Sequence, residues 1–435
     1  MITDFVEEAP MFKRGLATAL VAMLALAGCG SGSDSGDPKT LKLWHFEPPD
    51  SAMGTAWAEA IKQFEASHPG VKVSFEEKGF EQMQKTAPMV LNSKDAPDIL
   101  EYSKGNATAG LLSKQGLLTD ISDEVTKRGW DKQLNPAMQT TARYDERGVM
   151  GDGKWYGVPN YAEYVKIFYN KDMFAKHGLA APTTIEQLTT AMDKFAGAGV
   201  TPLAVAGAEY PAQQVMYQLA LTKADRDWVD RFQRYTGKVD FHDAAWTYGA
   251  TTFAEWVKKG YIAKDSAGLK AEDMGSAFIQ GKYPIMISGS WWYGRLVKGI
   301  KNFEWGSVRW PGIASGSAGN MWVIPKGSKN RDLALDFIAI TMSQPIQDKL
   351  REAGGVPIVN ASTPPANPRL KELVEDFNAA STENNLAFYP DWPAPGYYDV
   401  LASAVQKLIT SSATPAQALD EIAKPYEENL ANVGK

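Results

Sequence analysis

One stretch constrains the fold of this chain more than any other: a strand, a helix and a second strand in close succession. Leu41-Lys42-Leu43-Trp44-His45-Phe46 has strand character, and Pro48-Pro49-Asp50 breaks it. Trp57, Ile61 and Phe64 then recur at helical spacing within 55–66, and His68-Pro69-Gly70 stops that run. Val71, Val73 and Phe75 alternate as the next strand. A helical crossover of this kind favours a mostly parallel sheet flanked by helices. The alternation continues. Pro97-Asp98-Ile99-Leu100-Glu101-Tyr102 reads as a strand, and 109–114 as a helical piece closed by Gln115-Gly116. Thr183-Thr184-Ile185-Glu186 predicts a capping box for a helix reaching Phe195. Further helices are predicted over 246–259, 334–342 and 400–410. Thr414-Pro415-Ala416-Gln417 supplies a cap, a first-turn proline and a glutamine at the box position.

A chain of 435 residues, 44% of them hydrophobic, exceeds the usual size of one domain, so two lobes are expected. The alternating pattern does not divide into two consecutive domains. It suits lobes between which the chain crosses more than once. The net charge is -6, with both signs interspersed, which argues against a nucleic-acid surface or a polybasic membrane patch. The only cysteine is Cys29, and the four histidines are scattered without an HExxH pair. No intrachain disulfide, metal site or cofactor is therefore expected.

Ahead of the folded body, Lys13-Arg14 precedes an unbroken run of apolar and small residues from 16 to 27. The run is short for a membrane-spanning helix and suits the apolar region of a signal peptide. It ends in Leu26-Ala27-Gly28-Cys29, which resembles the bacterial lipoprotein box. The resemblance implies a signal peptide over 1–28, a lipid on Cys29 and a position on the extracellular face of the cell membrane. Residues 29–39, rich in Gly, Ser and Asp, read as a flexible tether. Asp4, Glu7 and Glu8 are foreign to a basic leader, so Met11 is expected as the start and 1–10 as an extension.

Motifs in order along the body carry a further resemblance. They are Ala96-Pro97-Asp98-Ile99, Gly116-Leu117-Leu118-Thr119-Asp120, Tyr156-Gly157-Val158-Pro159 and Phe168-Tyr169-Asn170-Lys171-Asp172. Ala277-Phe278-Ile279-Gln280-Gly281-Lys282, Gly289-Ser290-Trp291 and Ile324-Pro325-Lys326-Gly327 follow. From Leu41 to Leu430 the chain resembles the family 1 extracellular solute-binding proteins of sugar ABC transporters, the maltose-binding-protein-like group. The resemblance implies an α/β, two-lobed periplasmic-binding-protein-like fold of type II. Each lobe would be a mostly parallel sheet flanked by helices, with a ligand cleft and hinge between them. The expected boundaries are 40–150 plus 305–345 for one lobe, and 151–304 plus 346–435 for the other. An oligosaccharide, an ABC permease and a membrane reached through the lipid are the implied partners. A monomer is expected.

A sugar presents hydroxyls that need polar partners and ring faces that suit flat aromatic walls. Strand ends are where open α/β sheets bind ligands. His45, Phe46 and Glu47 end the first strand; Asn106 follows Glu101-Tyr102; Asn320 enters another strand. The resemblance places a stacking aromatic at Trp291, with Trp292 beside it, and another at Tyr397 or Trp392. It also implies ligand contacts at Glu163-Tyr164 and Glu209-Tyr210.

The 391–398 stretch looks similar to xylobiose-type binders of plant polysaccharide fragments, with a maltose or trehalose-type α-glucoside as the alternative sugar. Two readings of another class are a glycoside hydrolase, using a pair among Glu47, Glu163 and Glu209, and a surface adhesin or sensor without an importer. No GxSxG elbow, phosphate loop or hydrolase motif accompanies those carboxylates.

Overall fold

The computed structural model describes residues 39–359 and 365–433. The expected signal peptide, Cys29 and all of the tether before Lys39 lie outside them. No helix among the described residues is long and apolar enough to cross a membrane.

The strand β1 (Lys39–His45) buries Leu41, Leu43 and His45 and leaves Thr40 and Lys42 exposed, the two-residue period of a strand covered on one face. Pro48-Pro49 ends it, and Ser51 then caps the helix Ala52–Ser67, its Oγ accepting the Gly54 N–H at 2.9 Å. That helix buries Trp57, Ala60 and Phe64 on one stripe. It returns the chain to β2 (Val71–Glu77), which runs parallel to β1 as β3 (Ile99–Tyr102) does on the other side.

The first sheet has the order β2-β1-β3-β12-β6. Here β12 is Met321–Val323 and β6 is Val158–Pro159. Two intervening strands, β4 (Arg143–Tyr144) and β5 (Lys154–Trp155), form a separate ribbon. The second sheet centres on β7 (Ala162–Asn170), all nine residues of which are buried. Its main order is β13-β11-β7-β9-β8, with β8 Leu203–Ala204, β9 Ile285–Gly289, β11 Ala314–Ala318 and β13 Leu386–Ala387. A further strand, β10 (Trp305–Arg309), also pairs with β7.

The parallel character expected of both sheets holds for β2-β1-β3 in the first. The second is mixed, because β7 lies antiparallel to β9, β10 and β11. β7 enters this sheet from the first at 160–161, and the partners that run against it, β9, β10 and β11, are supplied by much later stretches of the chain. The strands 305–309 and 314–318 also belong to the second sheet, whereas the expected boundaries assigned 305–345 to the first lobe. The helix Gln344–Glu352, whose residues from 346 on were expected in the second lobe, packs against Ala52–Ser67 beside the first sheet. Strand partners and packing neighbours, which set these assignments, are not encoded in local spacing.

Three passages between the sheets meet side by side. The Asn160 N–H donates to the Asn320 carbonyl at 3.1 Å, Gly319 N–H to Tyr161 at 2.6 Å, and Ala162 N–H to Val356 at 2.8 Å. The expected box at 183–186 lies one residue later. Thr184 Oγ1 accepts the Gln187 N–H at 3.2 Å, and Gln187 Oε1 accepts the Thr183 N–H at 2.8 Å. At 414 the box forms as predicted, with Thr414 N–H on Gln417 Oε1 at 2.9 Å and Gln417 N–H on Thr414 Oγ1 at 3.3 Å.

Gln347 locks this crossing. Its buried amide donates to the carbonyls of Asn160 (3.0 Å) and Thr341 (2.9 Å) and accepts the Ile358 N–H (3.0 Å). Gln347→Ala strands three buried backbone groups and is expected to lower unfolding free energy by about 2–3 kcal/mol. Urea denaturation checks this; a change below about 0.5 kcal/mol, the range of surface substitutions, would refute the assignment.

Candidate functional site

A cavity of about 530 Å³ opens where the strand ends of both sheets face each other. Phe46 and Glu47 reach it from the end of β1, Ser103 and Lys104 from the loop after β3, and Tyr161 and Glu163 from the start of β7. Glu209 and Tyr210 begin the helix Tyr210–Leu221, Trp291 and Trp292 follow β9, and Asn320 lies in the crossing before β12. Tyr389, Asp391, Trp392 and Tyr398 come from one late segment, and Gln214, Lys78, Lys270 and Arg295 also line the cavity.

The floor is a hydrogen-bonded chain. Lys104 Nζ donates to Glu163 Oε1 at 2.6 Å and to Asn320 Oδ1 at 3.4 Å. Tyr161 O–H donates to Glu163 Oε2 at 2.7 Å. Asn320 Nδ2 donates to the Tyr161 oxygen at 3.2 Å and to Glu47 Oε1 at 3.4 Å. Burial raises the Glu47 carboxyl well above the usual range, and the nearby Glu101 and Glu163 add to the rise. Burial also raises Asp391 to about 6 and Glu101, just behind the floor, to about 8.

The walls are aromatic. Tyr210 Oη accepts the indole N–H groups of Trp291 (3.1 Å) and Trp292 (3.4 Å), which fixes both rings. Trp291 is half-buried and packs against Tyr210 and Tyr389, and Tyr389 packs against Trp392. Trp292 is 1% exposed, so it offers the cavity only an edge. Two glycines make room for these rings. A Cβ at Gly289 would lie 1.8 Å from Trp291, and one at Gly105 2.6 Å from Trp392. At the rim Arg295 holds Glu272 through both oxygens at 2.8 Å, reaches Asp50 at 3.0 Å and lies over Trp292.

Nine expected residues thus meet at one cavity: Phe46, Glu47, Glu163, Glu209, Tyr210, Trp291, Trp292, Asn320 and Trp392. Four do not line it. Tyr164 follows Glu163 on a strand and so points to the opposite face, where it packs on Phe377 and donates to Leu373 O at 2.8 Å. His45 is the last residue of β1 and stays on its buried face with Leu41 and Leu43, while Glu47 lies beyond the strand end. His45 stacks on Phe75, accepts the Glu47 N–H at 3.2 Å, and burial lowers it to about 3. Asn106 ties Gln233 O to the Met150 N–H, both at 2.9 Å, as a structural strut. Tyr397 donates to Ile422 O at 2.9 Å inside the core, while its neighbour Tyr398 takes the cleft position.

Sequence reasoning missed Lys104, Tyr161, Tyr389, Asp391 and Tyr398 as site residues. Lys104 carries a usable signal, a charged residue two positions after the end of a mostly apolar strand. The choice between Tyr397 and Tyr398 has none, because one helical step of 100° decides it.

Glu101 is wholly buried and accepts the Asn160 Nδ2–H at 2.6 Å. Its folded value lies above the unfolded one, so it contributes stability in acid that is lost as pH rises through about 8. Glu101→Gln is expected to shrink that loss by about 2 kcal/mol or more between mildly acid and mildly alkaline buffer. Unfolding titrations at both ends check this; parallel curves for the two proteins would refute it.

The profile of the bacterial extracellular solute-binding proteins matches residues 48–343. The diacetylchitobiose binding protein DasA of Streptomyces coelicolor is 26% identical, over 94% of this chain and 96% of that protein. The galactooligosaccharide-binding protein of Bacillus subtilis is 25% identical, over 92% and 93%. Among solved structures, a chitin oligosaccharide binding protein superposes with a TM-score of 0.78 at 22% identity, over 91% of this chain and all of that one. A protein from work on xylan utilization by Caldanaerobius polysaccharolyticus gives 0.76 at 20% identity, over 88% and 99%. These structural likenesses concern the fold.

Proposed function

The chain belongs to the bacterial extracellular solute-binding proteins, and from that premise we propose that its cleft captures an oligosaccharide and hands it to the permease of an ABC importer. The observation that carries this reading is the cavity itself. It sets indole and phenol faces opposite carboxylates and amides, the two surfaces a sugar ring requires. The relatives named for diacetylchitobiose and galactooligosaccharide support a saccharide as the solute.

Trp291 serves as the ring platform in this reading, and Trp392, with Lys104 over its ring, closes the wall beside it. Glu47, Asp391 and Gln214 offer acceptors to hydroxyls. The lobes close about the 160, 320 and 356 crossings, and the closed form meets the permease. Lipid on Cys29 holds the protein, a monomer, at the outer membrane face. The proposed sugar is a xylobiose-type plant disaccharide, on the strength of the 391–398 stretch, with an α-glucoside second. Hydrolysis has less support. Both Glu163 oxygens are engaged by Lys104 and Tyr161, and Glu209 caps the backbone of Ala271 at 2.8 Å.

Thermal unfolding against xylo-, cello-, malto- and chito-oligosaccharides tests the reading. Ligand at about 100 times its dissociation constant adds roughly 2.7 kcal/mol, a shift of a few degrees. A shift with one sugar class and unchanged sugar after incubation is the expected result. No shift with any saccharide would overturn it, and product formation would restore the hydrolase. Trp291→Ala is expected to weaken binding of the sugar so found by about 2 kcal/mol, near 30-fold, with the fold retained. Equal affinity by calorimetry would remove Trp291 from the site.

A further inference from the structure

Lys104 occupies a place in the cleft that a bound cation would otherwise take. It is 3% exposed, and its ammonium stands 5.0 Å over the Trp392 ring and 5.8 Å over that of Tyr389. Its closest partner is Glu163 at 2.6 Å, and its field also reaches Glu47, Glu101 and Asp391. Aromatic faces with carboxylates around them form a cage for a positive group. The chain fills that cage from the loop after β3, with its own side chain.

What remains open around the ammonium is acceptor capacity, and the other cations of the lining have carboxylate partners: Lys78 pairs with Glu76, and Lys270 lies 3.9 Å from Glu209. Arg295 is committed to Glu272 and Asp50. Glu47, 5% exposed, has one long bond from Asn320 at 3.4 Å. Gln214, 7% exposed, lines the cavity with an Oε1 that no protein group bonds. Such a lining receives hydroxyl and amide donors, while a second ammonium would meet Lys104 a few ångströms away. Like charges at that spacing in a desolvated pocket oppose each other strongly.

Resting on the reading of the cleft as a saccharide site, we propose that Lys104 is its specificity-determining residue: the tethered ammonium fills the cation position, setting the cleft for uncharged sugars and against those bearing free amines. Without that ammonium, Glu163, Glu47 and Asp391 surround an empty cage, and the cleft becomes a receptor for an amine.

Calorimetry on the purified chain tests this with a glucosamine disaccharide, its N-acetylated counterpart, xylobiose and maltose. In the unaltered protein the free-amine disaccharide is expected to bind at least about tenfold more weakly than the best uncharged sugar. Lys104→Ala removes the propylammonium portion of the side chain. It is expected to lose about 30-fold in affinity for the uncharged sugar, the order found when one partner of a buried charge pair is removed. It should also bind the free-amine disaccharide more tightly than the unaltered protein does. Added propylammonium should restore at least about threefold of the lost affinity, and propanol, which matches it in shape without charge, should not. Equal rescue by both, or none by either, would reduce Lys104 to packing and overturn the proposal. Should the variant fail to fold, the unaltered protein still decides: a free-amine disaccharide bound as tightly as the uncharged ones refutes it. Binding of no saccharide at all would instead remove the saccharide reading beneath it.

Discussion

The crossing of the chain between its two sheets is the constraint on which the rest depends. Three separate passages, at 160, 320 and 356, are held to one another by backbone hydrogen bonds and by the buried amide of Gln347. Each passage brings polar backbone into the interior, where an unpaired group is costly. Pairing the passages with one another satisfies those groups and brings Tyr161, Glu163 and Asn320 to the same spot. Hinge and cleft floor are thus made of the same residues. In the proposed reading, a solute touching the floor would touch the segments about which the lobes close, tying occupancy to closure.

The floor also explains how so many carboxylates persist away from water. Glu47, Glu101, Glu163 and Asp391 would repel one another if all were ionised. Lys104 neutralises Glu163 at 2.6 Å, while burial raises Glu47, Glu101 and Asp391 toward their neutral forms. An ion pair so buried is weak evidence for stability, because desolvating the two charges opposes their attraction. Its value lies in geometry: it holds Glu163 and gathers two aromatic rings around one point.

Local signals were legible where a short stretch settles its own structure. The strand–helix–strand opening, the Pro48-Pro49 break and the reciprocal cap at Thr414 and Gln417 all depend on residues close together in the chain. Glu47, next to proline punctuation, was legible as well, since a strand end is a fixed place in an α/β fold, and the family resemblance pointed to Trp291 and Trp392. Alternation, once the facing residue is known, would also have excluded Tyr164 in favour of Glu163.

The amino-acid sequence by itself determined the α/β class, most helix positions and the segments that end at the cleft, because hydrophobic period, caps and turn residues act over a few residues, and its ordered motifs carried the resemblance to the family. Only the tertiary structure decided which sheet claims 305–318, why β7 runs against its neighbours, and which of Tyr397 and Tyr398 reaches the cavity. It alone joined Lys104 to Glu163, 59 positions along the chain, and placed Trp392 above that ammonium. Those outcomes rest on contacts between distant segments. Their energies depend on burial and on mutual distance, quantities that exist only once the chain has folded.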